Sequence, residues 1–142
     1  MARKELNFGQ ILRQAQIASQ RGDLDEAERC CALILKAKRG HFEALHLAGV
    51  VAGRRGRFAE AERLIGEAIK ANGRSAPAYS DRGIALMRLG RAEEALSSYE
   101  RALALSPGHA DAHYNRANAL LALGRFAEAV ARSEEHTSEL QS

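Results

Sequence analysis

The sequence lacks tryptophan, only 5% of its 142 residues are aromatic, and proline and cysteine occur twice each. Apolar residues make up 46% of the chain and are mostly alanine and leucine. Both of these residues favour helices. No run of alternating β-branched residues predicts a strand. No stretch approaches the ~20 apolar residues of a membrane span, and the N-terminus MARKELNFGQ lacks the apolar segment of a secretory signal. We therefore predict an all-α protein without a membrane partner.

The cysteines argue against a disulfide or zinc site, and the charge pattern argues against a nucleic-acid-binding surface. Cys30 and Cys31 are adjacent, which strains a disulfide, and two cysteines alone do not complete a zinc site. We interpret them as small apolar side chains in a reducing, cytoplasmic setting. The 21 basic and 18 acidic residues give a net charge of +3, but the two signs alternate along the chain. This pattern is typical of solvated helix faces rather than a nucleic-acid footprint.

An internal repeat dominates the chain. The segments QRGDLDEAE, RRGRFAEAE, RLGRAEEAL and ALGRFAEAV place glycines at Gly22, Gly56, Gly90 and Gly124, with a constant step of 34 residues. An alanine follows each glycine by five residues, at Ala27, Ala61, Ala95 and Ala129. A glutamate precedes each of these alanines, at Glu26, Glu60, Glu94 and Glu128. Three coincident series with one period predict a repeat architecture.

The period and its residues resemble the tetratricopeptide repeat (TPR) family, of bacterial type. In 34-residue units that start at Phe8, Phe42, Ala76 and Ala110, the family expects a small residue at position 8. That position holds Ala15, Gly49, Gly83 and Ala117. The resemblance implies an α-solenoid, a right-handed superhelix of antiparallel helix pairs. We predict a lead-in at 1–7, repeats at 8–41, 42–75 and 76–109, and a truncated fourth repeat at 110–131.

Helix boundaries follow from local signals. Apolar residues recur at three- and four-residue spacings, and each glycine after a first helix permits the left-handed turn that ends it. We predict helices at 8–21, 24–38, 42–55, 58–71, 76–89, 92–105 and 110–123, and an eighth from Phe126. Asp23 is a helix cap, whereas later repeats place arginine at that position. His41 and His109 are assigned to turns.

Catalytic constellations are absent from the sequence. There is no HExxH, phosphate-binding glycine loop or nucleophile elbow. We therefore predict that this segment is not an enzyme and has no catalytic residue, metal or cofactor. Arg82 and Arg116 occupy position 7, where the family prefers leucine. We expect both to be partly buried with an acidic partner.

TPR modules commonly bind a peptide or partner protein in the concave groove formed by the first helix of each repeat. Spacing places positions 2, 5, 9, 12 and 13 on one face of that helix. This mixed surface suits a peptide with apolar anchors and a few acidic residues. The candidate groove residues are Leu12, Gln16, His46, Val50, Arg54, Ser80, Ile84, Met87, Arg88, Tyr114, Asn115 and Asn118. Tyr114 is the one aromatic residue among them, which disfavours a nucleic-acid ligand.

Two TPR subtypes provide comparisons. Repeats that clamp the C-terminal carboxylate of chaperones use lysine, asparagine and arginine at set positions, which here hold Leu12, Gln16, Leu47, Pro77 and Asp81. The clamp is therefore absent. Asn115 and Asn118 resemble the asparagine ladder of O-linked N-acetylglucosamine transferases, although the other repeats lack this pair. Two hypotheses stay open: a non-catalytic interaction scaffold, and the N-terminal repeat segment of a larger glycosyltransferase.

The repeat stops at Arg132. The tail RSEEHTSELQS resembles the translation of a common sequencing adapter that begins AGATCGGAAGAGC, and it interrupts the apolar stripe. We interpret residues 132–142 as artefactual and the chain as a fragment of a longer repeat protein. The tail is expected to pack poorly against the last repeat.

Overall fold

The computed structural model describes residues 7–124 and Ala131. This part of the chain contains seven α-helices and no strand, which confirms the predicted all-α class. The helices are α1 (Phe8–Gln20), α2 (Leu24–Ala37), α3 (Phe42–Arg54), α4 (Phe58–Ala71), α5 (Ala76–Arg88), α6 (Ala92–Leu105) and α7 (Ala110–Ala122). Outside the described residues lie the lead-in before Asn7, the predicted helix from Phe126 except Ala131, and the tail 132–142.

Glycine turns end the first helix of each pair. After α1, the Gly22 N–H donates to the Ser19 carbonyl at 3.1 Å and the Asp23 N–H donates to the Ala18 carbonyl at 2.8 Å. These two bonds form a Schellman motif. Gly22 has a φ of 81°, a conformation that is costly for residues with a Cβ. The turn therefore stops α1 one residue before its predicted end.

The starts of these same helices share one capping arrangement. A side-chain atom of the N-cap residue accepts the backbone N–H three residues later, which satisfies one of the unpaired donors of the first turn. The capping residues are Asn7, His41, Ser75 and His109. The two histidines assigned to turns are therefore helix caps.

The second helices begin differently. The Asp23 side chain accepts the Glu26 N–H at 3.2 Å, as predicted. Arg57 and Arg91 stand at the equivalent position before α4 and α6 and form no side-chain cap bond. Glutamates in the first turn of those helices, Glu60 and Glu94, instead interact favourably with the helix dipole.

The chain divides into two compact units, Met1–Arg74 and Ser75–Ser142. In the N-terminal unit α1 packs against α2, α3 packs against α4, and both α1 and α2 also contact α3. In the C-terminal unit α5 packs against α6, and α7 contacts both of these helices. Each unit thus places the first helices of its successive repeats side by side. These are α1 and α3 in the N-terminal unit and α5 and α7 in the C-terminal unit.

Each unit has its own core. In the N-terminal unit Ala15 packs with Cys30 and Cys31, which are free thiols and almost fully buried. Burial raises the pKa of Cys31 to about 11, consistent with an apolar role. The largest core cluster of the C-terminal unit contains Leu86, Ala95, Leu96, Tyr99, Ala119 and Leu120. Small residues at the helix crossings allow this packing: a Cβ on Gly49 would lie 2.4 Å from Cγ1 of Ile65.

Candidate functional site

In the N-terminal unit the candidate residues lie on α1 and α3, two helices that contact each other. Gln16 and Arg54 are exposed, while Leu12, His46 and Val50 are half-buried. We call these five residues the N-terminal face. Its composition is mixed, with aliphatic, amide, imidazole and guanidinium groups.

Arg54 has a structural partner that the sequence analysis did not identify. Its Nη1 donates to the Ser19 carbonyl at 2.6 Å and to the Ser19 Oγ at 3.2 Å. Ser19 is in the last turn of α1, where carbonyls lack helical partners and a positive charge is favourable. Arg54 therefore ties the end of α1 to the end of α3. The two residues are 35 positions apart, so no local pattern reveals the contact.

In the C-terminal unit the candidate residues lie on α5 and α7, which also contact each other. Ile84 is 42% exposed and Tyr114 is 70% exposed. Met87 and Asn115 are half-buried, and Arg88 and Asn118 are exposed. We call these six residues the C-terminal face. Ile84 and Tyr114 thus expose large apolar surfaces.

The candidate set of this unit needs two changes. Ser80 is only 2% exposed, so its hydroxyl is not available on the surface, and Ser80 is removed from the set. Leu121 is 46% exposed and follows Tyr114 by seven residues, two helical turns. It occupies the same repeat position as Met87, which is the signal that identifies it. We add Leu121 to the C-terminal face.

Arg116 is not on this face. It is 8% exposed, and its Nη2 lies 3.5 Å from Oε1 of Glu100 on α6. The structure therefore gives Arg116 the predicted acidic partner, but it buries this residue more deeply than predicted. Because the contact joins α7 to α6, its role is structural. Arg82, the other arginine at this repeat position, is half-buried.

The titratable groups with shifted pKa values belong to helix starts and to the core. Hydrogen bonds from Arg29 and Arg91 lower the pKa of Glu26 and of Glu94, respectively. Burial raises the pKa of Tyr99 to about 12. Each shift has a structural cause, and none of these groups lies on either face. Within the described residues there is also no cluster of three or more histidine, cysteine or acidic side chains able to hold a metal ion.

A membrane-spanning helix needs both sufficient length and sufficient apolarity. Across residues 7–124, no helix combines enough of both to cross a bilayer.

Comparison with protein families gives one assignment. The tetratricopeptide repeat model matches residues 12–77, 46–108 and 80–133 in three overlapping segments. Together these segments extend over most of the chain. A comparison with functionally curated proteins found no match.

Solved structures with the same fold include three informative examples. An O-GlcNAc transferase mutant from Thermobaculum terrenum is 30% identical with a TM-score of 0.77, over 80% of this chain and 22% of its own. The first TPR of Spaghetti (RPAP3), bound to the HSP90 peptide SRMEEVD, is 27% identical with a TM-score of 0.79, over 82% of this chain and 93% of its own. MamA is 26% identical with a TM-score of 0.79, over 87% and 72%. This chain thus spans about a fifth of the transferase.

Proposed function

The chain belongs to the tetratricopeptide repeat family, and on this basis we propose that it is a non-catalytic protein–protein interaction scaffold. It binds a peptide or a segment of a partner protein on the first helices of its repeats. The N-terminal and C-terminal faces are the binding surfaces within their respective units. Free, buried Cys30 and Cys31 are consistent with the cytoplasmic setting that we propose for this activity.

The observation that carries this proposal is the exposed apolar surface of the C-terminal face. Ile84, Tyr114 and Leu121 are 42%, 70% and 46% exposed, on two helices that contact each other. Large apolar side chains grouped on a surface are typical of interaction sites, and an aromatic anchor with a polar tip is frequent in binding hot spots. Arg88 and Asn118 on the same face add donors for acidic or main-chain groups of a ligand.

One structural neighbour binds a peptide, and the chemistry of that ligand is instructive. The first TPR of Spaghetti is bound to the HSP90 peptide SRMEEVD, which supports a peptide as the class of ligand. This chain has Leu12, Gln16 and Asp81 at positions where chaperone-clamping repeats present lysine, asparagine and arginine. We therefore propose that the peptide ligand binds through apolar anchor residues and other residues inside its sequence rather than through its terminal carboxylate.

A second candidate function follows from the amide pair on α7. Asn118 is exposed and Asn115 is half-buried, and an amide side chain can both donate to and accept from an extended peptide backbone. Together with the similarity to the O-GlcNAc transferase, this favours a repeat segment that presents substrates to a glycosyltransferase domain. A natural reading frame that continues past Ala131 into such a domain would support this function, and an early stop codon would exclude it.

Selection from a phage-displayed peptide library tests the scaffold proposal. We expect the full chain to enrich peptides with apolar anchors, and we expect Ile84→Glu to weaken their binding at least tenfold. Leu33→Glu on α2 is the matched control because Leu33 is 41% exposed, almost the same as Ile84. Equal binding by wild type and Ile84→Glu, or equal loss in the control, would exclude our assignment of the C-terminal face.

A further inference from the structure

One side of α1 carries an exposed isoleucine between two arginines. Arg13, Ile17 and Arg21 follow one another at four-residue steps, and Arg21, the C-cap residue, retains helical dihedral angles, so the three side chains share one side of the helix. Ile17 is 43% exposed, and both arginines are exposed. We call these three residues the α1 outer face. At ~100° per residue Ile17 lies ~140° around α1 from Leu12, so this surface differs from the N-terminal face.

The next repeat shows how the same surface is covered there. One repeat later, 34 residues along the chain, the equivalent positions hold Leu47, Val51 and Arg55. Val51 is fully buried in a cluster with Ala27 of α2, and Leu47 packs against this cluster. The repeat positions that are exposed on α1 are therefore covered on α3, and the helix that covers them is α2.

Arg55 supplies the charged part of this contact between α2 and α3. Its Nη2 pairs with the Asp25 carboxylate, and its Nε lies 2.8 Å from Oε1 of Glu28. Asp25 and Glu28 are three residues apart and share one side of α2. The small apolar residue Ala27 stands between them in the sequence. The helix that covers these positions on α3 thus combines two carboxylates with a small apolar residue.

The two arginines of the α1 outer face have no such carboxylates. α1 contains no acidic residue, and among the described residues no hydrogen bond or ion pair involves the guanidinium group of Arg13 or Arg21. The other acidic residues at the start of α2 have partners, because Asp23 caps that helix and Glu26 pairs with Arg29. Two copies of this surface would bring only positive charges together and repel each other, which disfavours a dimer through α1.

We propose that the α1 outer face binds an acidic amphipathic helix of a partner protein. This helix packs on α1 as α2 packs on α3. A small apolar residue of the partner covers Ile17, and two carboxylates three residues apart pair with Arg21. Arg13 stands where α3 has Leu47, which packs against the cluster that contains Cys31, so a third carboxylate at the position of Cys31 pairs with Arg13. This surface is separate from both faces proposed to bind a peptide, so either proposal can fail alone.

A peptide with the sequence of residues 23–38, which contains α2, tests the proposal. It carries Cys30→Ser together with Cys31→Glu, which supplies the third carboxylate, and a comparison peptide carries Cys31→Ser instead. Titration of the full ¹⁵N-labelled chain should give saturable shifts of the Arg13, Ile17 and Arg21 amide resonances. We expect the Cys31→Glu peptide to bind roughly fivefold more tightly than the Cys31→Ser peptide, because the added carboxylate pairs with Arg13.

Variants of the chain identify the residues that bind the peptide. Ile17→Glu should weaken binding at least tenfold without unfolding the chain, because Ile17 is exposed. Leu33→Glu is the matched control because Leu33 is 41% exposed on α2, and it should bind like wild type. Arg21→Glu should also weaken binding, and a peptide that additionally carries Asp25→Lys and Glu28→Lys should restore it.

The other outcomes contradict the proposal. Absence of saturable shifts on α1, unchanged binding in Ile17→Glu, or an equal loss in Leu33→Glu would show that the α1 outer face does not bind such a helix. Equal or tighter binding of the Cys31→Ser peptide, with shifts on α3, would show that the peptide replaces α2 against α3. Self-association of the chain in analytical ultracentrifugation that Ile17→Glu abolishes would assign the surface to a second copy of this chain, and the partner helix would be wrong.

Discussion

Gly83 and Tyr99 are in such close contact that a Cβ on Gly83 would lie 2.4 Å from Cε1 of the tyrosine ring. The glycine is on α5 and the tyrosine is on α6, and both are buried. The contact therefore fixes the distance at which this helix pair crosses. The space that a side chain on α5 would occupy is filled by the aromatic ring.

The Gly83→Ala substitution should consequently destabilise the protein. Alanine normally stabilises a helix interior by about 0.5–1 kcal/mol relative to glycine, but here its Cβ must displace a buried ring. Overpacking of this kind costs about 1–3 kcal/mol. We expect a net loss in the free energy of unfolding, measured by urea denaturation followed by circular dichroism.

Gly53→Ala is the matched control for that substitution. Gly53 is also inside a helix, α3, but its added Cβ would be 3.8 Å from Cβ of Ala61, an ordinary contact. This variant should be more stable than wild type by about 0.5–1 kcal/mol. Stabilisation by both substitutions would show that the ring of Tyr99 moves away without cost.

Alkaline pH should weaken the fold through Tyr99. Burial, assisted by the charge of Asp81, raises the pKa of the Tyr99 phenol from 10 to about 12. Between these two values the unfolded chain loses the phenolic proton while the folded chain retains it, so stability falls as pH rises. The free energy of unfolding does not depend on this titration below pH 10. It falls progressively up to about pH 12, by about 3 kcal/mol in total.

Urea denaturation of wild type and Tyr99→Phe at several values between pH 9 and pH 11 measures this effect. Other groups titrate in the same range, but they do so in both proteins. The difference in stability between the two proteins should therefore shift in favour of Tyr99→Phe as pH rises. A difference that does not change with pH would show that the Tyr99 hydroxyl reaches solvent in the folded state.

The His109 cap should contribute measurably to α7. Its Nδ1 accepts the Ala112 N–H at 3.2 Å, and loss of an N-cap side chain costs about 1 kcal/mol. We expect His109→Ala to reduce stability by this amount and to accelerate hydrogen exchange in the first turn of α7. His109→Ser replaces the ring nitrogen with a hydroxyl oxygen that can also accept the Ala112 N–H, and it should behave like wild type. Equal losses in both variants would assign the effect to the imidazole ring rather than to the cap bond.

Arg54 should stabilise the N-terminal unit. The hydrogen bond from its Nη1 to the Ser19 carbonyl is 2.6 Å long, and bonds from charged donors contribute about 1.5–3 kcal/mol when shielded from water. Because Arg54 is exposed, we expect the Arg54→Ala loss to be near 1 kcal/mol. Measurement of Arg54→Ala in a Ser19→Ala background isolates the part that involves the serine hydroxyl. No loss of stability in Arg54→Ala would contradict a structural role.

The HSP90 peptide SRMEEVD should bind this chain no better than a scrambled peptide. Leu12 and Gln16 provide no positive charge for a terminal carboxylate. Fluorescence anisotropy with labelled peptides measures the difference, and the first TPR of RPAP3 is the positive control. Binding that disappears when the terminal carboxylate is amidated would contradict this prediction.

The helices were predictable because their limits depend on neighbouring residues in the sequence. Gly22 and Asp23 act within one turn of the helix ends that they define. As a result the observed ends of α1 and α2 differ from the predicted ends by one residue. Where a cap comes from an unusual residue, as with His109, the sequence indicated a turn but not the hydrogen bond.

The candidate faces were less predictable because exposure depends on distant neighbours. Spacing along α5 predicts the face of the helix on which Ser80 lies, but not how much of that face other helices cover. In the structure they leave Ser80 only 2% exposed. Similarly, the Arg54 contact with Ser19 depends on the distance between α1 and α3.

At each helix crossing a small residue faces a larger one, and these matched pairs restrict where crossovers between repeats of such a gene preserve the packing. Ala15 packs with Cys31, Gly49 faces Ile65 and Gly83 faces Tyr99, so each helix pair has its own matched combination. Duplication or deletion of a whole 34-residue unit preserves these combinations. A crossover inside a repeat would instead pair Ala15 with a tyrosine or Gly83 with a cysteine. The first hybrid would contain a clash and the second a void. The segment that can be exchanged without loss of packing at these crossings is therefore the complete helix pair rather than the single helix.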